Sequence, residues 1–332
     1  MRKSCLPLAA FVLAAAAAPA AHAQTKAVKI ALIAKSEANF VFLSARRGAE
    51  AKAAALSKQL GATITVVWLT PPKEDVAQQA EMIRKAVRDK MDAILLSASD
   101  GPGLVSVVNE AVDAGVDVMT FDSDVPGSKR FSFYGPDDGD LGEKVAHDLA
   151  TLMGGKGQVA VLAGNPNSNN LKARAEGARK GFAKSPDIDF AGVVNHVETP
   201  ADAVSEILKF DAAHPQLAGW AMVGGWPLFR SSQSPAMMAE IQKRNLKVVA
   251  VDALPEELVY LERGLVPVMW AQPVYAWGTI GVSTIVDKVL LKKTPPKTIR
   301  MEPMRVTRET LKDYAQKLHS WGFTVPQEYL AK

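Results

Sequence analysis

Short, almost uninterrupted apolar runs alternate with amphipathic stretches along nearly the whole chain, and few architectures accommodate that pattern. Val28–Ala34, Thr63–Leu69, Ala93–Ser97 and Val116–Phe121 are rich in Val, Ile and Leu and read as strands buried on both faces. Between them, Val76, Ala80, Ile83 and Val87 recur within Glu74–Lys90 at the spacing of one helix face. Buried strands separated by helices predict a parallel sheet covered on both sides. A second series follows, with strands at Gln158–Ala163, Phe190–Val197, Gly219–Val223 and Lys247–Val251. Its helices include Gly139–Met153, where Leu141, Val145, Leu149 and Leu152 fall along one side. Helix Tyr275–Leu291, a polar Pro-rich stretch at Lys292–Lys297, a strand-like Ile299–Val306 and a last helix near Arg308–Trp321 complete the chain. Two strand–helix series in 332 residues predict two α/β lobes, each a doubly wound parallel sheet.

Residues 1–23 have the three parts of an export signal. Arg2 and Lys3 lead an apolar run from Leu6 to Ala18, and Ala21-His22-Ala23 offers small residues at the cleavage positions. Cleavage is expected after Ala23. The run is shorter than the roughly 20 residues that span a bilayer. The only cysteine, Cys5, precedes the apolar run, where it cannot serve as a lipid attachment site, and it leaves with the signal. The mature chain then has neither disulfides nor cysteine-based zinc sites. Losing Arg2 and Lys3 leaves 37 basic against 35 acidic residues, with no basic cluster, so nucleic acid is not an expected partner.

In open parallel sheets the ligand lies beyond the carboxyl ends of the strands. The residues there are Lys35-Ser36-Glu37-Ala38-Asn39-Phe40, Ser99-Asp100 and Asp122-Ser123-Asp124 in the first series. In the second they are Asn165-Pro166-Asn167, Gly224-Gly225-Trp226, Asp252 and Ala271-Gln272. Hydrogen-bonding groups with a few aromatics suit a small polar ligand. Neither cofactor nor metal is expected. Asp137-Asp138-Gly139-Asp140 lacks the alternation of a calcium loop, His147, His196, His214 and His319 have no ligand spacing, and Gly154-Gly155-Lys156-Gly157 precedes a strand rather than a helix.

These positions carry a resemblance to the periplasmic sugar-binding proteins of ABC importers, the ribose-binding type. Asn39-Phe40-Val41-Phe42 resembles the family's start of the first helix, and Gly115–Asp122 its Gly-Ile-Pro-Val-x-x-x-Asp strand. Tyr134-Gly135-Pro136-Asp137-Asp138 is similar to the crossing into the second lobe, and Arg174-Ala175-Glu176-Gly177 to an Arg-x-x-Gly helix opening. Val248–Asp252 and Ala271-Gln272-Pro273 resemble the last two ligand-side strand ends. The resemblance implies a type I periplasmic binding fold, with its lobes joined by a hinge of about three crossing segments. Residues 24–134 with about 273–300 would form one lobe, and 135–272 with about 301–332 the other. By the same resemblance, Phe42 would stack on a ligand ring while Asp122, Arg174, Asp252 and Gln272 bond its hydroxyls. Lys35 resembles a ligand-contacting lysine of the autoinducer-2 binders, and Asp122-Ser123-Asp124 resembles the branch that takes rhamnose or autoinducer-2. Gly225-Trp226 departs from the ribose type's Asn-Asp, replacing a polar contact with a flat apolar one. Trp226, Trp270, Asn39 and Asp100 complete the candidate ligand contacts.

The expected function is a non-enzymatic periplasmic receptor. It would be monomeric, bind a sugar, deoxysugar or polyol and deliver it to an inner-membrane ABC permease. A signalling receptor for a sugar or autoinducer-like ligand, acting through a chemoreceptor or sensor kinase, is the alternative.

Overall fold

The computed structural model describes residues 26–229 and 234–330, so the segment read as an export signal lies outside them. The chain begins with β1 (Ala27–Ile33), α1 (Phe40–Leu60), β2 (Thr63–Trp68), α2 (Val76–Arg88), β3 (Ala93–Leu96), α3 (Gly101–Asp113), β4 (Asp117–Phe121) and β5 (Ser132–Gly135). It then passes to α4 (Asp138–Leu152), β6 (Lys156–Ala163), α5 (Asn169–Phe182), β7 (Asp187–Asn195), α6 (Pro200–Ala213) and β8 (Leu217–Met222). Next come α7 (Ser234–Arg244), β9 (Lys247–Val251), α8 (Leu258–Glu262) and β10 (Val268–Ala271). The last elements are α9 (Val274–Val289), β11 (Thr298–Arg300), β12 (Met304–Thr307) and α10 (Leu311–Ser320).

The strands form two six-stranded sheets, in the orders β11-β5-β4-β3-β1-β2 and β12-β10-β9-β8-β6-β7. In each, the chain starts in the interior, adds one neighbour on one side and then grows the other way. That reversal creates a switch point beside β1 and beside β6, where open sheets place their ligands. Period-two alternation feeds a core on each face of both sheets. Ile30 and Leu32 enter one apolar cluster of the first lobe, Ala31 and Ile33 the opposite one. Ala160 and Leu162 separate from Val159 and Val161 in the same way in the second lobe.

Helix ends follow local chemistry. Asp75 caps α2 by accepting from the Gln78 N–H, and Asp100 caps α3 by accepting from Gly103. Gly61 ends α1 at φ 59°, a left-handed conformation that glycine adopts without strain.

The chain crosses between the sheets three times, from β5 to α4, from β10 to α9 and from β11 to β12. The third crossing falls inside the stretch read as strand-like. Ile299–Val306 is not one strand: Thr298–Arg300 extends the first sheet parallel to β5, whereas Met304–Thr307 joins the second antiparallel to β10. Met301 between them is buried and donates its N–H to the Gly135 carbonyl, tying this crossing to the first. Among the described residues no helix is long and apolar enough to cross a membrane.

Candidate functional site

The carboxyl ends of the two sheets face each other across a cleft. It is lined by Lys35, Asn39, Phe42, Asp122 and Trp277 from the first lobe, and by Asn170, Arg174, Glu198, Trp226 and Asp252 from the second. Gln272 lines it from the β10–α9 crossing. The enclosed space is about 20 Å³, room for about one water molecule, so these side chains largely fill the cleft with one another. A solute enters only by parting them.

Asp122 and Asp252 sit at corresponding places, just past β4 and β9. Both take positive φ, 56° and 77°, and both donate the backbone N–H to the next strand of the sheet, to Tyr134 O and Trp270 O. Aspartate tolerates this left-handed geometry better than most residues, and it turns each carboxylate into the cleft. The Asp122 carboxylate accepts from the Ser97 hydroxyl at 2.8 Å and from the Asn170 amide at 3.0 Å, with Arg174 at 3.9 Å. The Asp252 carboxylate accepts from the Gln272 amide at 2.8 Å and from the Gly225 N–H at 3.2 Å.

Arg174 organises the floor. Its Nε donates to Asp138 at 2.7 Å, Nη1 to the Val223 carbonyl at 3.2 Å, and Nη2 to Gln272 Oε1 at 2.9 Å. Gln272 passes the chain on to Asp252, so one hydrogen-bonded series runs Asp138–Arg174–Gln272–Asp252–Gly225. Burial works against the guanidinium charge, but Asp138, Asp122 and Asp252 more than restore it and hold its pKa above the ordinary value. Burial raises the carboxyl of Asp252, with the Gln272 bond opposing, and pushes Asp138 up to about 7 against the pull of Arg174. Behind Asp252, the wholly buried Glu257 is driven well above the usual range by burial, with Asp252 adding to it.

The aromatic walls differ in kind. Phe42 lies in a trio with Phe121 and Trp277, at 6.3 and 6.0 Å between ring centroids. Trp226 meets the His196 ring edge-on at 4.8 Å, and its own ring lies so close over Gly224 that a Cβ there would come within 2.3 Å of it. The buried Trp277 Nε1 has no acceptor among the described residues.

Eight of the ten candidates named from the sequence thus line one cleft: Lys35, Asn39, Phe42, Asp122, Arg174, Trp226, Asp252 and Gln272. Two do not. Asp100 is committed to capping α3, and it is the preceding carbonyl, Ser99 O, that faces the other lobe and accepts from Asn165 and Ser168. Trp270 lies on the far side of β10, where its Nε1 donates to Asp148 at 2.9 Å and Lys144 stands over its ring. Strand alternation decides this: Trp270 packs with Val268 toward one face, while Met269 and Ala271 enter the opposite core. Asn170, Glu198 and Trp277 were not anticipated. Asn170 lies four residues before Arg174 on one helix, a spacing that puts both on one face, and Glu198 directly follows the Phe190–Val197 run. Trp277 carried no local signal.

Known proteins are similar to this chain in sequence and fold. A D-ribose/D-allose-binding protein of Pseudomonas aeruginosa is 27% identical over 306 residues, covering 87% of this chain and 92% of that protein. An ABC transporter solute-binding protein from Burkholderia graminis, solved with D-arabinose, matches with a TM-score of 0.76 at 25% identity, over 86% of this chain and 97% of its own. A carbohydrate transporter solute-binding protein from Agrobacterium radiobacter, also solved with D-arabinose, reaches a TM-score of 0.78 at 21% identity, covering 89% and 98%, a likeness of fold. The periplasmic binding protein domain family matches residues 30–293. With two facing lobes, a shared cleft and that match across most of its length, the chain belongs to the periplasmic binding protein family, whose members are solute receptors rather than enzymes.

Proposed function

We propose that this protein is the periplasmic receptor of an ABC importer and that it carries a small, uncharged, polyhydroxylated solute, a monosaccharide, deoxysugar or polyol, to the permease. The observation that carries the reading is the convergence of Asp122, Arg174, Asp252 and Gln272 from two sheets on one cleft walled by Phe42, Trp226 and Trp277. Hydroxyls both donate and accept, so carboxylates, an amide and a guanidinium match them, while aromatic faces cover the C–H surface of a ring. The charge balance supports an uncharged solute. Among the described residues both cations of the cleft are already paired, Lys35 with Glu198 and Arg174 with Asp138, which leaves a sugar acid or phosphate without a free counter-charge from them. The similar D-ribose/D-allose-binding protein and the solute-binding protein solved with D-arabinose support the monosaccharide class. Maturation by cleavage after Ala23 and action as a monomer belong to the same proposal.

A thermal-shift screen of the mature protein against pentoses, hexoses, deoxysugars and polyols, with sugar acids and sugar phosphates alongside, tests it. A true solute well above its Kd raises the Tm by several degrees. Silence across the panel, or a response confined to sugar acids and phosphates, sinks the proposal.

A further inference from the structure

Lys35 stands just past β1 in the first lobe, yet every oxygen its ammonium bonds belongs to the second. Nζ donates to Ser168 Oγ at 3.0 Å, Asn170 Oδ1 at 3.4 Å and Glu198 Oε1 at 3.4 Å. An ammonium has three donors, and here each has an acceptor. The side chain is 2% exposed, as buried as the core residues around it.

The acceptors are themselves held by the first lobe. Ser168 Oγ donates onward to Ser99 O, and the Asn170 amide to Asp122. The same segment reaches across twice more, through Asn165 to Glu74 and Ser99 O, and through Asn169 to the Asp124 carbonyl. Asn165–Asn170 is therefore a polar strap on the second lobe, and Lys35 brings a cation of the first lobe into it beside the carboxylates of Glu74 and Asp122. The charges facing that ammonium are Glu198, Glu74 and Asp122, with Arg174 opposing them; together the carboxylates outweigh burial and keep the lysine charged.

We infer that Lys35 is a positioning residue and not a ligand contact: its ammonium clasps the second lobe, favours the closed arrangement before any solute arrives, and walls one side of the cleft. This holds whichever solute the cleft takes, so it is tested without one.

Removing one partner of a buried pair strands the other charge. In solute-free protein, Lys35→Ala should lower the Tm by roughly 5–10 °C and increase the radius of gyration measured by small-angle scattering. Propylammonium chloride, which supplies the missing ammonium, should restore part of both; sodium chloride at equal ionic strength should not. An unchanged melt and radius in Lys35→Ala, or equal rescue by the two salts, overturns the inference. Should Lys35→Ala fail to fold, Lys35→Met with and without Glu198→Gln decides. The clasp requires the double variant to melt above the single one, because the stranded carboxylate has been neutralised. A double variant no better than the single one refutes it.

Discussion

The two lobes are built on one plan and used differently. Both sheets share a strand order, both place an aspartate with positive φ past the fourth strand of the series, and both gain a last strand from the chain's final crossing. Each also packs two helices so closely that only glycine fits between them. A Cβ on Gly278 of α9 would lie 1.9 Å from the Ala45 carbonyl of α1, and one on Gly177 of α5 would lie 2.0 Å from the Gly139 carbonyl of α4. The lobes part company in what they offer the cleft. The first contributes a carboxylate, an aromatic trio and the reaching Lys35; the second contributes the hydrogen-bonded series through Arg174 and the strap that receives Lys35. Shared topology fixes where the site lies, and the side chains past the strands divide the labour.

The largest test of the common plan is at the helix contacts. Gly278→Ala and Gly177→Ala should each destabilise the protein by about 3 kcal/mol, the upper range for overpacking, because backbone rather than a flexible side chain stands in the way. Urea unfolding measures both, and a lobe that tolerates its alanine breaks the equivalence.

The paired aspartates come next. Asparagine keeps the left-handed backbone of Asp122 and Asp252 but removes the charge. Asp122→Asn and Asp252→Asn should each weaken binding of the best sugar from the screen by about ten- to a hundredfold, the loss of a charge-assisted hydrogen bond of about 1.5–3 kcal/mol. Calorimetry showing either variant at wild-type affinity would remove that aspartate from the solute's contacts.

A pH profile sharpens the difference between lobes. Burial, with Glu198 adding to it and Lys35 and the Asn165 bond opposing, pushes the Glu74 carboxyl up to about 7 from an ordinary 4.5. The folded state holds this proton more tightly than the unfolded chain. Its contribution to stability is full below pH 4.5 and fades as pH rises through 7. Glu74→Gln should therefore flatten the fall in Tm across that window; an unchanged slope places the titration elsewhere. The smallest effect is aromatic. Phe42→Leu should cost about 1 kcal/mol of stability through the trio, and Trp226→Phe, at a ring buried in the second lobe's core, a comparable amount while weakening sugar binding only a few-fold.

Much of this was legible in the sequence because buried parallel strands advertise themselves. The runs at Val28–Ala34 and Lys247–Val251 gave the sheets, and the rule that ligands sit past strand ends located Asp122, Asp252 and Gln272. What escaped depends on partners distant in the chain. The split of Ile299–Val306 is set by β5 and β10, which pair with its two halves in different sheets. Trp270 stands two residues from Gln272, but strand alternation turns it to the other face of β10. Trp277 enters the cleft only because α9 packs against α1, a fact of tertiary structure without a local signature.

The order of the crossings also sets the order of assembly. The first lobe lacks α9 and its edge strand β11 until residue 300 has been made, and the second lacks β12 and α10 until later still. One face of each lobe therefore stays open on a nascent fragment, the face that takes α9 in the first and α10 in the second, although the first five strands are complete by residue 135. Domains usually fold one after another from the amino terminus; this connectivity makes one face of each lobe wait for the carboxyl terminus.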